Sequence, residues 1–201
     1  MSSDTLSPAK LQPPGAGLPA FESIWLRIGF RCGCAALSQQ AAMQLFKFEA
    51  KKILALARGV STLQGTVPVL IDRITGIEDS SRYWSVFMAL DHLRIVDEGI
   101  TQIVEDLSHD RPFAQNVRIQ DVKPSVDSGS EVIDRFVHSV ATYEATVNRL
   151  GKLGRHVRHP HPWFGPMTAH DWHCLAGIHH VVHRRQIERI RRTLENPGNG
   201  D

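Results

Sequence analysis

Cysteine is scarce in this chain, three residues in 201. That is too few for a disulfide framework and fits a protein kept in a reducing compartment. Long apolar runs are missing as well. No stretch reaches the ~18 residues of a membrane span, and the N-terminus lacks a basic start followed by an apolar run and a cleavage site. The cytoplasm is therefore the expected location, and a membrane is not an expected partner. Phe21 to Leu37 is partly apolar and holds Arg27 and Arg31, which leaves a degenerate targeting segment as the alternative. An excess of one charge is also lacking. The 23 Lys+Arg against 21 Asp+Glu leave a formal charge of +2, so no whole-molecule field draws in nucleic acid. The basic run HRRQIERIRR near the C-terminus reads as an ordinary solvated helix face, with Glu188 among its arginines.

The chain does hold enough to bury a core. Its 42% hydrophobic and 22% charged residues lie near the globular average, and the length suits one domain with an appendage. Eleven histidines are the one departure from ordinary composition.

Residues 1–20 carry Pro8, Pro13, Pro14, Pro19, Gly15 and Gly17 and read as a flexible tail. Residues 21–37 form an extension whose structure the pattern leaves open, and 196–201 read as a flexible C-terminus. Between them, 38–195 contain four segments of helical period. The first runs from about Ser38 to Arg58, with Ala42, Phe46, Ala50, Ile53 and Ala57 on one face. The second spans about Arg82 to Leu107, capped from Asp79, Ser80 or Ser81. Ser130 opens the third, which reaches Leu150 with Ile133, Phe136, Val137, Val140 and Val147 as its stripe. Thr168 caps the last, from Ala169 to Leu194. No period-2 strand stands out. The fold class is therefore all-α, a four-helix bundle with long crossover connections over 59–81 and 108–129. Connections of that length allow two sequential helices to run parallel.

A helical wheel sorts the histidines, at about 100° per residue. On the last helix His179 and His183 share the apolar stripe with Trp172, Leu175, Ile187 and Ile190. His170, His173 and His180 fall about 100° to 180° away, toward solvent or the edge of the seam, and are expected as bystanders, while Cys174, about 140° away, is not expected as a ligand. On the second helix His92 sits among Met88, Ile95, Val96, Gly99 and Ile103. Histidines at i and i+4 present their rings on one side, one turn apart, and a third from a facing helix completes a facial set. Taken singly, each is equally a core histidine bonded to backbone or to a carboxylate. Together, three inward rings point to a shared cation, because a buried polar ring without a partner is costly. Three protein ligands would leave a coordination position open, the mark of a catalytic or exchangeable site.

The segment HPWFGPMTAHDWHCLAGIHHVVHRRQIERI resembles the end of DinB/YfiT-like superfamily proteins, which are metal-dependent four-helix bundles, and in particular a branch of unassigned function. That family's last helix carries His-x-x-x-His-Arg-x-Gln, matched by His179, His183, Arg184 and Gln186. Its second helix carries Trp followed by Leu-x-His-Leu, for which Trp84, Leu90, His92 and Leu93 stand. The resemblance covers about 38–194. It implies a crossover between the second and third helices and a divalent ion on His92, His179 and His183, commonly zinc or nickel. It does not transfer a substrate.

Other residues offer chemistry more weakly. Glu144 and Tyr143 lie toward the third helix's stripe, and Glu144 is the candidate catalytic acid or base. Gln186, one turn beyond His183, is a candidate to accept the free N–H of a ligating imidazole. Cys32 and Cys34 are read as incidental and the loop histidines 156, 159 and 161 as a solvated basic cluster, with a packing role at the bundle mouth expected for His161 and Pro162 from the family-like loop. Two functions remain: a metalloenzyme activating water or a thiol, of hydrolase or thiol-dependent transferase type, or a non-catalytic metal-binding or interaction protein. The expected partner is a small molecule, a thiol among the candidates, and a homodimer is compatible with the sequence. A pocket beside the histidines separates the two readings.

Overall fold

A computed structural model describes residues 11–196, so the calls made above on residues 1–10 and 197–201 lie outside the described residues. The architecture is a four-helix bundle built from α2 (Gln39–Arg58), α4 (Val86–Ser108), α5 (Val132–Leu150) and α6 (Ala169–Glu195). Two further helices accompany it: α1 (Ala20–Ala36) and the single turn α3 (Thr62–Thr66). Among the described residues no helix is long and apolar enough to cross a membrane.

The caps explain where the chain starts each helix. Ser38 accepts from Ala41 N–H at the start of α2, and Thr168 forms a capping box with Asp171 at the start of α6. In both cases a side chain satisfies backbone donors that the first turn leaves free. The second long helix begins later than 82. Tyr83–Trp84 (β2) pairs antiparallel with Val69–Leu70 (β1), and Ser85 then caps α4 by accepting from Met88 N–H. The third begins at Val132 rather than at Ser130, because Glu131 turns back to accept from Gly129 N–H. Gly151, at φ +66°, ends it in a conformation that disfavours any side chain.

Directions follow from what packs at each end. One apolar cluster joins Ala42 and Phe46 of α2, Ile103 and Leu107 of α4, Tyr143 and Val147 of α5, and Trp172 and Leu175 of α6. The other joins Ile53 of α2, Phe87 and Leu90 of α4, Val132 and Phe136 of α5, and Ile187 and Ile190 of α6. The consecutive helices α4 and α5 therefore run parallel, opposed to α2 and α6. The helices pack in a ring, α2 on α6, α6 on α4, α4 on α5 and α5 on α2. Helix α6 meets α2 closely at Gly177, where a Cβ would lie 3.3 Å from Ala42 O and from Leu45. The segment 109–131 must travel the length of the bundle to restart α5 at the far end, which is why it is long.

One open segment takes form and two expectations are corrected. The open segment 21–37 is mostly helix: α1 buries Phe30 and Cys34 against the bundle. The part of the presumed tail that is described is tied down, since Gln12 N–H donates to Asp79, and Gly15 and Gly17 N–H donate to Glu78. And α6 has no wet side where its histidines were placed. His170, His173 and His180 are all buried, because α2 and α4 flank the helix and its N-terminal half lies under α1. His173 Nε2 faces Gln39 O at 2.9 Å and its Nδ1 accepts from the Tyr143 hydroxyl at 2.6 Å. His180 Nε2 sits 3.0 Å from both oxygens of the buried Asp97 carboxylate. His170 Nε2 donates to Cys34 O at 3.1 Å.

Candidate metal centre

His92, on α4, and His179 and His183, on α6, meet where these helices face one another. A ligand atom from each lies within 4.8 Å of the other two, and this is the sole such group of three among the described residues. His92 Nε2 and His179 Nε2 are 3.2 Å apart. The ring centroids stand 4.3 Å apart for His179 and His183, and 4.6 and 5.1 Å from His92 to each. Trp84 covers His92 and stacks on His183.

Each outer nitrogen tells which way its ring is held. His92 Nδ1 donates to Val122 O at 2.6 Å, a carbonyl supplied by the long crossover. His183 Nδ1 donates to Gln186 Oε1 at 2.7 Å, and Gln186 in turn donates from Nε2 to Ser81 O at 2.7 Å. In a neutral imidazole one nitrogen carries the proton. With that proton on Nδ1, the Nε2 lone pairs of His92 and His183 are turned inward. The Nδ1 of His179 has no hydrogen-bond partner among the described residues.

All three rings are held neutral. Burial is the first cause in each case, pushing His92 down to about 4 and His179 and His183 well below the usual range. For His179 and His183 the neighbouring imidazoles add to this, since a second positive charge so close would be repelled. Neutral imidazole is the metal-ligating form.

The spacing fits a cation. Two nitrogens at roughly 2.05 Å from a tetrahedral ion lie about 3.3 Å apart, against the observed 3.2 Å. Without a cation, two inward lone pairs would repel at that distance unless a proton lay between them.

A cavity of about 340 Å³ opens beside the three rings. Its walls come from α4 (Ile95, Val96, Gly99), α6 (Leu175, Ile178, Val182), the crossover around Phe113 to Lys123, and the turn at Trp163 and Phe164. His161 lines it too, held neutral by burial at about 3, with Nδ1 accepting from Trp163 N–H. This turn belongs to the small hairpin of β3 (His159–His161) and β4 (Gly165–Met167). The loop histidines are thus not one solvated cluster: His156 is exposed and His159 is buried, while His161 packs against the cavity.

Glu144 is not at this site. It pairs with Lys47 on the α2 and α5 side of the bundle, a third exposed. Two carboxylates do line the cavity, the exposed Asp121 and the buried Glu78, both missed by sequence reasoning. Lys123 Nζ bonds Glu78 at 3.0 Å, and the Gly15 and Gly17 N–H groups also donate to it. Those donors outweigh its burial and hold the carboxyl below the usual range. So many donors leave Glu78 a structural anchor rather than a free base. Little in local sequence marks it, because apart from the Ser80 hydroxyl its partners come from 61 or more positions upstream and 45 downstream.

No family model and no curated protein matches the chain. Among solved structures it is similar to TT2238, described as a four-helix bundle protein. The TM-score is 0.54 at 18% identity, over 75% of this chain and 98% of that one. The likeness is one of fold.

Proposed function

We propose that this chain is a divalent-metal enzyme of the DinB/YfiT-like kind, with His92, His179 and His183 holding zinc or nickel. The observation that carries the reading is the inward set of neutral Nε2 atoms, two of them fixed from outside by Val122 O and Gln186. A divalent ion on three imidazoles supplies a Lewis acid that lowers the pKa of a water or thiol in the position left open. The chain's own groups do the rest. Val122 and Gln186 lock ring tautomers and orientation, which raises ligand basicity. Trp84 shields two rings, and the cavity provides room for a small-molecule substrate beside the half-buried His179. That cavity favours an enzyme over a scaffold, which would fill the same space with side chains.

Elemental analysis of untagged protein tests the reading. One zinc or nickel per chain is expected, falling to none in His183→Ala while helix content by circular dichroism persists. Full metal occupancy in that variant, or no binding of either ion by the parent chain, overturns it.

A further inference from the structure

Gly99 sits in the middle of α4, a position where glycine destabilises a helix relative to alanine. Two reasons commonly keep it there, a positive φ or a close neighbour, and neither applies. Its φ is not positive, and a Cβ added to it would meet no atom within 4 Å. What the missing side chain does leave is space, since Gly99 lines the cavity beside the histidines. Its neighbours there, Ile95, Val96, Ile103, Leu175 and Ile178, make a wall of hydrocarbon.

The charges in the lining are already answered. Lys123 is bound by Glu78, Ser80 and Ser81, and Arg118 by Asp121. His161 is neutral. A ligand in the cavity therefore finds mainly apolar walls, with the Arg118–Asp121 pair on the exposed side of the lining. Gln102, Gln115 and Asn116 also line the cavity but are exposed to solvent, so among its buried walls the three histidines offer the place for a polar head.

We propose that the cavity binds an elongated apolar molecule with a single metal-ligating head, of the chemical class of a medium-chain aliphatic carboxylate, and that Gly99 keeps the room for its chain. The position of the head rests on the metal reading above; the fit of the chain does not. Size sets the length. An apolar cavity of about 150 Å³ accommodates benzene, so the 340 Å³ here takes about twice that, on the order of twelve heavy atoms. A ten-carbon carboxylate has that size.

The experiment titrates hexanoate, octanoate and decanoate, with decanol as the probe lacking the charged head, into metal-free protein and into protein loaded with one zinc and desalted. Calorimetry and the emission of Trp163 and Trp172, both in the lining, report binding. Each added methylene should tighten binding roughly four-fold. Decanol should bind both forms equally, and decanoate should prefer the zinc form at least ten-fold. Gly99→Phe, whose side chain enters open space, should weaken decanol and decanoate at least ten-fold. Its zinc stoichiometry should be unchanged and its melting temperature no lower than the parent's. Gly99→Ala should bind like the parent and melt higher. Binding independent of chain length, or undiminished in Gly99→Phe, overturns the proposal. If decanol binds as expected but decanoate ignores zinc, the head-group assignment falls and the apolar site stands. If the protein takes up no zinc, the metal reading falls, and the decanol and Gly99→Phe measurements still decide whether the cavity holds a chain.

Discussion

Replacing His180 by alanine probes the buried polar layer next to the three-histidine cluster. The imidazole sits between Phe46 and Phe136, and its Nε2 is 3.0 Å from both oxygens of Asp97, a residue 1% exposed. Removing it leaves a carboxylate in the core with no counter-group. Breaking a buried pair in this way costs about 3 to 5 kcal/mol, out of a total stability of roughly 5 to 15 kcal/mol. At about 2 to 4 °C per kcal/mol for a domain of this size, the melting temperature should drop by roughly 6 to 20 °C. Urea unfolding followed at 222 nm measures the loss, with an unchanged m-value confirming that the unfolding reaction is the same. The loss should also depend on pH. Burial raises the Asp97 pKa, and His180 opposes that rise. Without His180 the carboxyl titrates higher still. A group with a raised pKa loses stability as pH climbs above its unfolded value, so the deficit of the variant should widen as pH rises. The double variant Asp97→Ala/His180→Ala should lose at least about 1 kcal/mol less than the two single losses added, because neither partner is then stranded. A His180→Ala protein within about 1 kcal/mol of the parent, as expected of a surface substitution, would refute the reasoning.

The metal-free protein should weaken in acid. The folded pKa of His92 is depressed to about 4 from 6.5, so its contribution is intact above pH 6.5 and lost as pH falls toward 4. At pH 5 that is about 2 kcal/mol from His92 alone. Urea titrations at pH 7 and 5 check this; a flat profile, or the same slope in His92→Asn, counts against it. Gln186→Ala should weaken metal binding about 10- to 100-fold, the usual effect of losing the group that orients a ligand, measured by competition with a chelator; unchanged affinity would remove Gln186 from the site. Glu144→Ala should leave metal content intact and shift stability by less than about 1 kcal/mol, since Lys47–Glu144 is a solvent-exposed pair. A loss of metal there would restore Glu144 to the centre.

The wheel placed His92, His179 and His183 on facing stripes because the apolar period of α4 and α6 is regular and these three share its phase. The same wheel misplaced His173 and His180. It assumes one buried stripe per helix, whereas α6 touches both α2 and α4, so residues well off the main stripe are in the core too. Polar residues there were read as a wet face when they are partners for Asp97, Tyr143 and Gln39 O. Glu144 failed for a related reason: its angle on α5 was near the stripe, but that part of the stripe faces α2, not the α4 and α6 seam. Helix α1 was left open because its pattern shows apolar residues on two sides. Phe30 and Cys34 are inside, while Phe21, Ile24, Trp25 and Ile28 remain exposed.

The long connections also carry more of the site than their composition suggests. Their lack of period and their Pro and Gly content mark them as crossovers, and the parallel run of α4 and α5 explains why 109–131 must be long. Length alone does not require that this segment touch the histidines. Yet Val122 O orients His92, and Ser81 O, from the other crossover, fixes Gln186 and through it His183. Lys123 then ties the two crossovers together through Glu78, Ser80 and Ser81. Backbone carbonyls have no signature in a sequence, since every residue supplies one. Ligand residues can therefore be read from side-chain spacing, whereas the groups that aim them become visible only once the chain is folded. It follows that a bundle with all three histidines and a shortened crossover would keep the ligands and lose the orientation that makes them a site.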